Sequence, residues 1–216
     1  MARLLLTPKS VYSYSLPDDG DEAKIDFLNL LHNPGETWIR AFGFNMPELY
    51  AEIEAADSEG IAVHILIDHT QSCGPGEKTV LAALAAKLKH GDITITTAGE
   101  TSHVPGAINH NKQLIVAPHE GQDGYIVWSG SVNFSDTGFT QGNDAFVFDC
   151  DELATSDIER FNEHRDWAHS VHSAWQIMQL PTAPTGDTPA TVTTVTTTVT
   201  TAPAAQVMPT PPVPPA

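Results

Sequence analysis

Positive charge is scarce in this sequence of 216 residues. Ten lysine and arginine residues stand against 27 aspartate and glutamate residues, which gives a formal net charge of −17. This acidity repels polyanions at long range, so tight binding of nucleic acid would require a local basic patch. The sequence offers few candidates for one: Lys78, Lys87 and Lys89 flank one predicted helix, and Arg160 and Arg165 lie on another.

Cysteine is also scarce, since the sequence has only Cys73 and Cys150. Two cysteines do not make a disulfide framework, and neither has company at a metal-ligand spacing, so both are predicted to be reduced thiols. His64, His103 and Glu100 lack partners at such spacings as well. The sequence therefore predicts no metal site and no cofactor.

Long apolar runs are absent too. No run in the sequence reaches the roughly 18 residues that a transmembrane helix requires. Residues 1–6 include one arginine and three leucines, which is too short an apolar region for a signal peptide. These features predict a soluble, cytoplasmic protein without a transmembrane segment.

The hydrophobic pattern that is present alternates between strands and amphipathic helices. Some segments repeat apolar residues at helical spacing, whereas others are short apolar runs bounded by turn residues. Such alternation predicts an α/β fold with a mainly parallel mixed β-sheet flanked by helices on both faces. The predicted helices are 21–32, 45–60, 78–89 and 153–177, and the predicted strands are 11–16, 37–44, 61–67, 92–97, 125–128 and 144–149, together with a strand at His110.

The composition changes abruptly at Pro181. Threonine, proline, valine and alanine dominate residues 181–216, and such a segment cannot bury enough surface to offset its chain entropy. We therefore predict a folded domain over residues 1–180 and a disordered Thr/Pro-rich tail over residues 181–216. A sticky or glycosylated stalk is the alternative for the tail.

The most informative stretch runs from His110 to Asp144. His110 and Lys112 are two residues apart, so on a strand their side chains point to the same face. A second strand leads into a turn in which Ser131 and Asn133 offer short hydrogen-bonding side chains. A nucleophile, a cation and neutral donors are what a phosphoryl group requires when no metal supplies the charge.

This combination resembles the phospholipase D superfamily, whose signature is His-x-Lys-x4-Asp together with Gly-Ser-x-Asn. Here the matching residues are His110-Asn111-Lys112 and Gly130-Ser131-Val132-Asn133-Phe134. The resemblance covers most of residues 10–175 and implies a phospholipase D-like fold. The chain departs from the signature at Ala117, where the family usually has aspartate.

The resemblance also implies a role for each matching residue. His110 would attack phosphorus and form a phosphohistidine, and Lys112 would bind the non-bridging phosphate oxygens. Ser131 and Asn133 match phosphate-contacting positions. Asp144 matches an acidic residue that holds the Nδ1–H of the nucleophile, so the implied catalytic residues are His110, Lys112 and Asp144.

Each of these residues also has a structural interpretation. His110 and Lys112 could be ordinary strand residues, Ser131 and Asn133 could simply form a turn, and Asp144 could be an exposed residue at a strand start. Two further residues, Asp68 and His69, follow a predicted strand. They could line a site at the carboxyl ends of the strands or be loop residues, and we leave them outside the catalytic set. 

The sequence has a single His-x-Lys motif. Attack and protonation of the leaving group take place on opposite faces of phosphorus, so one histidine cannot readily do both. Family members with one motif dimerise, which implies a homodimer here with His110 of one subunit as nucleophile and His110 of the other as general acid.

Three functions are compatible with this motif. The first is a phospholipase D-type phosphodiesterase that hydrolyses a phospholipid head-group bond or a similar diester. The second is an endonuclease acting on DNA or RNA, which the compact single-motif architecture resembles but the net acidity disfavours. The third is a catalytically degenerate interaction protein, for which Ala117 is the best support.

Overall fold

Strands and helices alternate along most of the chain. The structure is a computed structural model and describes residues 6–32, 34–96, 108–119, 121–170 and 173–180. The strands are β1 (Ser10–Ser15), β2 (Thr37–Ala41), β3 (Val63–Asp68), β4 (Asp92–Thr96), β5 (Lys112–Val116), β6 (Ile126–Gly130), β7 (Asp144–Asp149) and β8 (His169–Ser170). The helices are α1 (Gly20–Asn29), α2 (Pro47–Ser58), α3 (His69–Ser72), α4 (Pro75–Lys87), α5 (Asp151–Trp167) and α6 (Ala174–Met178).

The strands form one mixed sheet in the order β1-β7-β6-β5-β2-β3-β4-β8. The predicted α/β fold with a mixed sheet is confirmed, but the prediction that the sheet is mainly parallel is wrong. Only the pairs β2–β3 and β3–β4 are parallel, and the other five pairs are antiparallel. A parallel pair requires a crossover, usually a helix. In the described parts of segments 117–125 and 131–143, no α-helix joins β5, β6 and β7.

Helices cover both faces of the sheet, as predicted. On one face, α1, α2, α4 and α6 bury apolar side chains such as Phe27, Ile53, Leu81 and Ile177 against the strands. On the other face, α5 packs Phe161 and its neighbours over Trp38, Leu66, Ile115 and Val127. The β-branched and aromatic residues of the central strands are therefore shielded from water on both sides, which explains their nearly continuous apolar sequence.

The carboxyl-terminal part of the domain differs from the prediction of one helix over residues 153–177. Helix α5 ends at Trp167, and β8 then pairs with β4 in antiparallel register before the short helix α6 begins. The side-chain hydroxyl group of Ser173 accepts a hydrogen bond from the backbone N–H of Gln176, which caps α6 at its start. Edge pairing with β4 therefore interrupts a segment whose sequence pattern favours helix.

The ends of several strands meet at one edge of the sheet. At this edge β2 ends beside the start of β5, with Ala41 opposite Lys112. Strand β6 ends beside the start of β7, with Gly130 opposite Ala145, and Asp68 ends β3. We call this the motif edge, because both halves of the sequence motif reach the surface there.

Several predictions concern other parts of the chain. Residues 181–216, for which a disordered tail is predicted, lie outside the described residues. Cys73 and Cys150 are buried free thiols, as predicted. Among the described residues, no helix is both long and apolar enough to cross a bilayer. The cytoplasmic location stays a prediction.

Candidate active site

His110 and Lys112 lie side by side where the chain enters β5. The strand begins at Lys112, so His110 precedes it rather than lying on it, in contrast to the sequence interpretation. His110 is exposed, whereas Lys112 is only 5% exposed. The Nζ atom of Lys112 donates a hydrogen bond of 2.9 Å to the carbonyl oxygen of His110. The nucleophile candidate is therefore accessible, and the cation beside it is largely shielded from water.

The ring of Phe42, which was not among the predicted site residues, contacts both His110 and Lys112. Phe42 directly follows β2, and its ring centroid lies 4.6 Å from that of His110 in an edge-on arrangement. The Nζ atom of Lys112 lies 5.1 Å from the same centroid, a cation–π distance. The signal in the sequence was weak, because Phe42 lies within the predicted strand 37–44, where an aromatic residue is usually part of the core.

Burial changes the acidity of Lys112. Removal of the side chain from water disfavours its charged form, which lowers the pKa of Lys112 from 10.5 to about 8. An ammonium group in this position gains more from an anion than one in water, because its own hydration is already reduced. Lys112 is thus suited to bind a phosphate oxygen.

The segment that carries Asn133 is bonded to the strand end that carries Phe42. The backbone N–H of Phe134 donates to the carbonyl oxygen of Gly43 at 3.1 Å, and the N–H of Asn45 donates to the carbonyl oxygen of Phe134 at 3.0 Å. A Cβ atom at Gly43 would stand 3.2 Å from Cβ and Cγ of Asn133, so glycine permits this close approach. The fold therefore brings the two halves of the motif together at Phe42 and Gly43.

The side-chain oxygen of Asn133 has no hydrogen-bond partner among the described residues, although this atom is buried. A buried amide group without a partner is costly. The acceptor capacity of the Asn133 side chain is therefore not used by the fold. A phosphate oxygen can be bound only by the Nδ2 donor of this amide, so the role of Asn133 as a phosphate ligand stays a prediction.

The hydrogen-bonding groups of Ser131, in contrast, bond to the backbone of Asp144. Its backbone N–H donates to the carbonyl oxygen of Asp144 at 2.9 Å, and its hydroxyl oxygen accepts the N–H of Asp144 at 3.0 Å. A Cβ atom at the preceding Gly130 would lie 2.2 Å from the same carbonyl oxygen, so the turn requires glycine there. These contacts are those of a turn-forming residue, as in the structural interpretation of Ser131. Its role as a phosphate ligand stays a prediction.

Asp144 is the exposed first residue of β7, opposite Ser15 of β1. Strand β6 lies between β7 and β5, so the axes of β7 and β5 are about 10 Å apart. Among the hydrogen bonds of the described residues, none joins the Asp144 carboxylate to His110. The sequence-based role of Asp144, to hold the imidazole of His110, stays a prediction.

Ala117, the position where the chain departs from the family signature, is remote from these residues. It follows β5 at the opposite edge, where its backbone N–H donates to the carbonyl oxygen of Glu36 at 2.9 Å. Seven residues of extended chain span about 23 Å. An aspartate at this position would therefore not contact His110.

Asp68 and His69, the two residues whose role the sequence left open, make different contacts. Asp68 is buried at the motif edge, and its Oδ2 atom accepts the backbone N–H of Asn109 at 2.8 Å, next to His110. His69 instead directs its Nε2 atom to the Sγ atom of Cys73 at 3.2 Å. Burial raises the pKa of the Cys73 thiol.

The surroundings of the motif edge are acidic. The turn after β1 and the start of α1 line a cavity of about 320 Å³ whose walls include four carboxylate side chains, those of Asp18, Asp19, Asp21 and Glu22. Lys24 of α1 is paired with Glu48 at 2.8 Å. In the described residues, no group of three or more His, Cys, Asp or Glu side chains could hold a metal ion.

The fold and the site together define a class of protein. An eight-stranded mixed sheet that presents His-x-Lys and Gly-Ser-x-Asn at one edge has the architecture of the phospholipase D superfamily. Residues 28–167 match the family model described as "Cardiolipin synthase, PLD-like domain". The chain therefore belongs to the phospholipase D-like family. A comparison with curated protein sequences found no significant match.

Solved structures share this fold. NucT from Helicobacter pylori is 17% identical with a TM-score of 0.64, and the match covers 75% of this chain and 99% of that chain. The phospholipase D family member Nuc from Salmonella typhimurium is 24% identical with a TM-score of 0.57, covering 76% and 99%. Phosphatidylserine synthase from Haemophilus influenzae is 13% identical with a TM-score of 0.58, covering 78% of this chain and 42% of that chain.

Proposed function

We propose that the chain is a phosphodiester hydrolase of the phospholipase D type, with His110 as its nucleophile. One observation carries this proposal. The ring of Phe42 contacts both the exposed imidazole of His110 and the ammonium group of Lys112, and the next residue, Gly43, accepts a hydrogen bond from the backbone N–H of Phe134, which follows Asn133. A nucleophile, a desolvated cation and the side-chain amide of Asn133 therefore converge on one small region.

The proposed reaction has two steps. A nitrogen of the neutral His110 imidazole forms a bond to phosphorus while the bond from phosphorus to the leaving oxygen breaks, and that oxygen takes a proton from a general acid. Water then attacks the phosphohistidine, gives its proton to a general base, and the P–N bond breaks to restore His110. The ammonium group of Lys112 and the Nδ2 group of Asn133 stabilise the phosphoryl oxygens in both steps.

The general acid is proposed to come from a second copy of the chain. The sequence has one His-x-Lys motif, and the acid must stand on the face of phosphorus opposite the nucleophile. His110 of the partner subunit would meet this requirement across a two-fold axis, with Asp144 as the carboxylate that orients the imidazole. The active unit is then a homodimer.

The charge of the motif edge favours a phospholipid head group, or a similar small diester, over nucleic acid. A polyanion requires cations along its path, but the motif edge carries the acidic turn 18–22. A single diester requires only the local contacts of Lys112 and Asn133. Cleavage of DNA or RNA is the competing outcome in the test below.

The test compares choline release from phosphatidylcholine vesicles with nicking of plasmid DNA, both in the presence of chelator. We expect the wild type to release choline and His110→Asn to lose this activity on the order of a thousandfold or more. The matched control is His119→Asn, because His119 is also an exposed histidine but lies in the loop after β5 at the opposite edge. It should retain full activity.

Each result of this test has a distinct meaning. Plasmid nicking without choline release would identify an endonuclease, and lack of both activities in the wild type would support an interaction protein. A labelled diester should leave label on the wild-type protein after rapid quenching but not on His110→Asn. Equal labelling of the two proteins would contradict the role of His110 as nucleophile.

A further inference from the structure

A buried carboxylate holds the backbone next to His110. Asp68, the last residue of β3, is 3% exposed. Its Oδ2 atom accepts the backbone N–H of Asn109 at 2.8 Å, and its Oδ1 atom accepts the N–H of Thr70 at 2.8 Å. The carboxylate therefore joins the end of a central strand to the residue that precedes the proposed nucleophile.

Asn109 extends this arrangement to the other side of His110. Its side chain is fully buried, and its Nδ2 atom donates to the carbonyl oxygen of Leu66 at 3.3 Å. Its Oδ1 atom accepts a hydrogen bond of 2.7 Å from Nδ2 of Asn111. Residues before and after His110 are thus tied to one buried network, whose members are costly to leave unpaired.

His110 itself depends on this support. The imidazole is exposed and rests edge-on against Phe42, so its own side-chain contacts restrain it weakly. Its carbonyl oxygen is held by Lys112, which leaves the backbone before it to be fixed from elsewhere. A reacting group has to be held within about 0.5 Å of its productive position.

We propose that Asp68 and Asn109 are positioning residues for His110, which they act on through the backbone of residues 109–111. This inference rests on the proposed function of His110 as nucleophile. Neither residue touches the reacting phosphate. Their loss should misplace the imidazole while the phosphate contacts of Lys112 and Asn133 remain, so kcat should fall much more than KM rises.

Asp57 provides a matched control for Asp68. It is likewise 3% exposed and accepts backbone N–H groups, those of Lys89, His90 and Gly91 at 2.7–3.1 Å. It lies near the end of α2 and the start of β4, at the edge opposite the motif edge. Substitution of either aspartate by asparagine keeps the volume but turns an amide donor toward a backbone donor.

The experiment compares Asp68→Asn and Asp57→Asn in the full chain. Both should lower the melting temperature. Only Asp68→Asn should reduce kcat, by about tenfold or more, with KM changed less than about threefold. Only Asp68→Asn should speed hydrogen exchange at the Asn109 amide and shift the NMR signals of the His110 ring, whereas Asp57→Asn should affect the amides of residues 89–91.

Other results would overturn the inference. Wild-type kcat in Asp68→Asn, or an equal loss of kcat in Asp57→Asn, would leave Asp68 with only a structural role. If the wild type has no turnover, the proposed function fails, and the NMR measurements still decide about positioning. Unchanged Asn109 exchange and His110 signals in Asp68→Asn would then contradict it.

A second substitution covers the case in which Asp68→Asn does not fold. Asn109→Asp has nearly the same volume, but it removes the Nδ2 donor from the carbonyl oxygen of Leu66. It should reproduce the loss of kcat and the shift of the His110 signals. A folded Asn109→Asp protein with wild-type kcat would contradict the proposal.

Discussion

At the scale of single residues, Lys112 has the property that most directly links the fold to the proposed chemistry. Its side chain is buried, with Nζ 5.1 Å from the centroid of the Phe42 ring, and burial lowers its pKa to about 8. The free protein therefore loses this positive charge as the pH rises through about 8.

This property predicts the alkaline limb of the pH profile. Because kcat/KM reports the ionisation of free enzyme, it should fall as the pH rises through about 8 in the wild type. Lys112→Arg should be less active at neutral pH, since a planar guanidinium replaces a compact ammonium, but it should not show this fall, because arginine stays charged.

The internal control is kcat/KM below about pH 7, where lysine and arginine are both charged. The measurement is kcat/KM for one diester between pH 5 and 10. An alkaline limb that persists unchanged in Lys112→Arg would show that another group causes it, and the proposed role of Lys112 charge would then be wrong.

At the scale of elements, a buried polar network fastens the strand after His110 to the helix beneath it. Arg40 of β2 donates through Nε to Oε1 of Gln113 in β5 at 2.9 Å, and Nε2 of Gln113 donates to Oδ2 of Asp157 in α5 at 2.5 Å. The Nη2 atom of Arg40 lies 3.6 Å from Oδ1 of Asp157. Burial lowers the pKa of Arg40, while the Asp157 carboxylate opposes that shift.

We expect removal of one partner of this pair to be costly and removal of both to be less so. Arg40→Met leaves the Asp157 carboxylate buried without its cation, which should lower the free energy of unfolding by about 3–5 kcal/mol. The double variant Arg40→Met/Asp157→Leu removes both charges and should recover much of this loss. Unfolding in urea measures all the variants, including Asp157→Leu alone.

A surface ion pair supplies the comparison. Lys87 and Glu54 lie 2.7 Å apart with side chains 59% and 33% exposed, so Lys87→Met should cost less than about 1 kcal/mol. If the double variant loses as much stability as the two single variants summed, the charges of Arg40 and Asp157 are not coupled, and the network does not fasten β5 to α5.

At the scale of the whole molecule, an uncovered apolar strip lies beside α5. Val11 of β1 and Phe146 of β7 are 48% and 42% exposed, and Phe148 stacks on Phe146 with ring centroids 6.3 Å apart. The strand register places Val11 and Phe148 opposite each other and Phe148 opposite Val127, which packs under α5. The strip therefore continues the face that α5 covers.

We expect a second copy of the chain to cover this strip, since the proposed mechanism requires a second His110 and β7 begins at the motif edge. Phe146→Asp should then convert a dimer to a monomer and reduce turnover in parallel. The matched control is Ile25→Asp, because Ile25 is 59% exposed on α1 and belongs to another surface. Sedimentation velocity and turnover are measured on the same samples.

Two results would count against this surface. A Phe146→Asp protein that remains dimeric and active would place the interface elsewhere. A wild-type protein that is monomeric at working concentration and still turns over substrate would exclude a site shared between two subunits.

Much of the fold was predictable from the sequence, because local patterns reflect local physics. The strand 144–149 has the predicted bounds, and most other strands and helices differ by a few residues at their ends. The direction of β5 and the break after Trp167 were not predictable. Strand direction depends on which neighbour a strand finds, and the break depends on pairing between β8 and β4.

The residues of the candidate site likewise divide into those that the sequence predicts and those that only tertiary pairing brings in. His110, Lys112, Ser131 and Asn133 stand out in the sequence because residue types and spacing carry the chemistry. Phe42 does not, since it reaches them only when β2 pairs with β5.

By itself, the sequence determined the motif, the family and the alternation of elements, because each depends on residues that are close along the chain. The tertiary structure decided what surrounds His110 and Lys112. The bond between Asp68 and Asn109 joins residues 41 positions apart, and the burial that lowers the pKa of Lys112 exists only in the folded sheet. Such contacts depend on chain segments that meet in space, and no local pattern encodes that meeting.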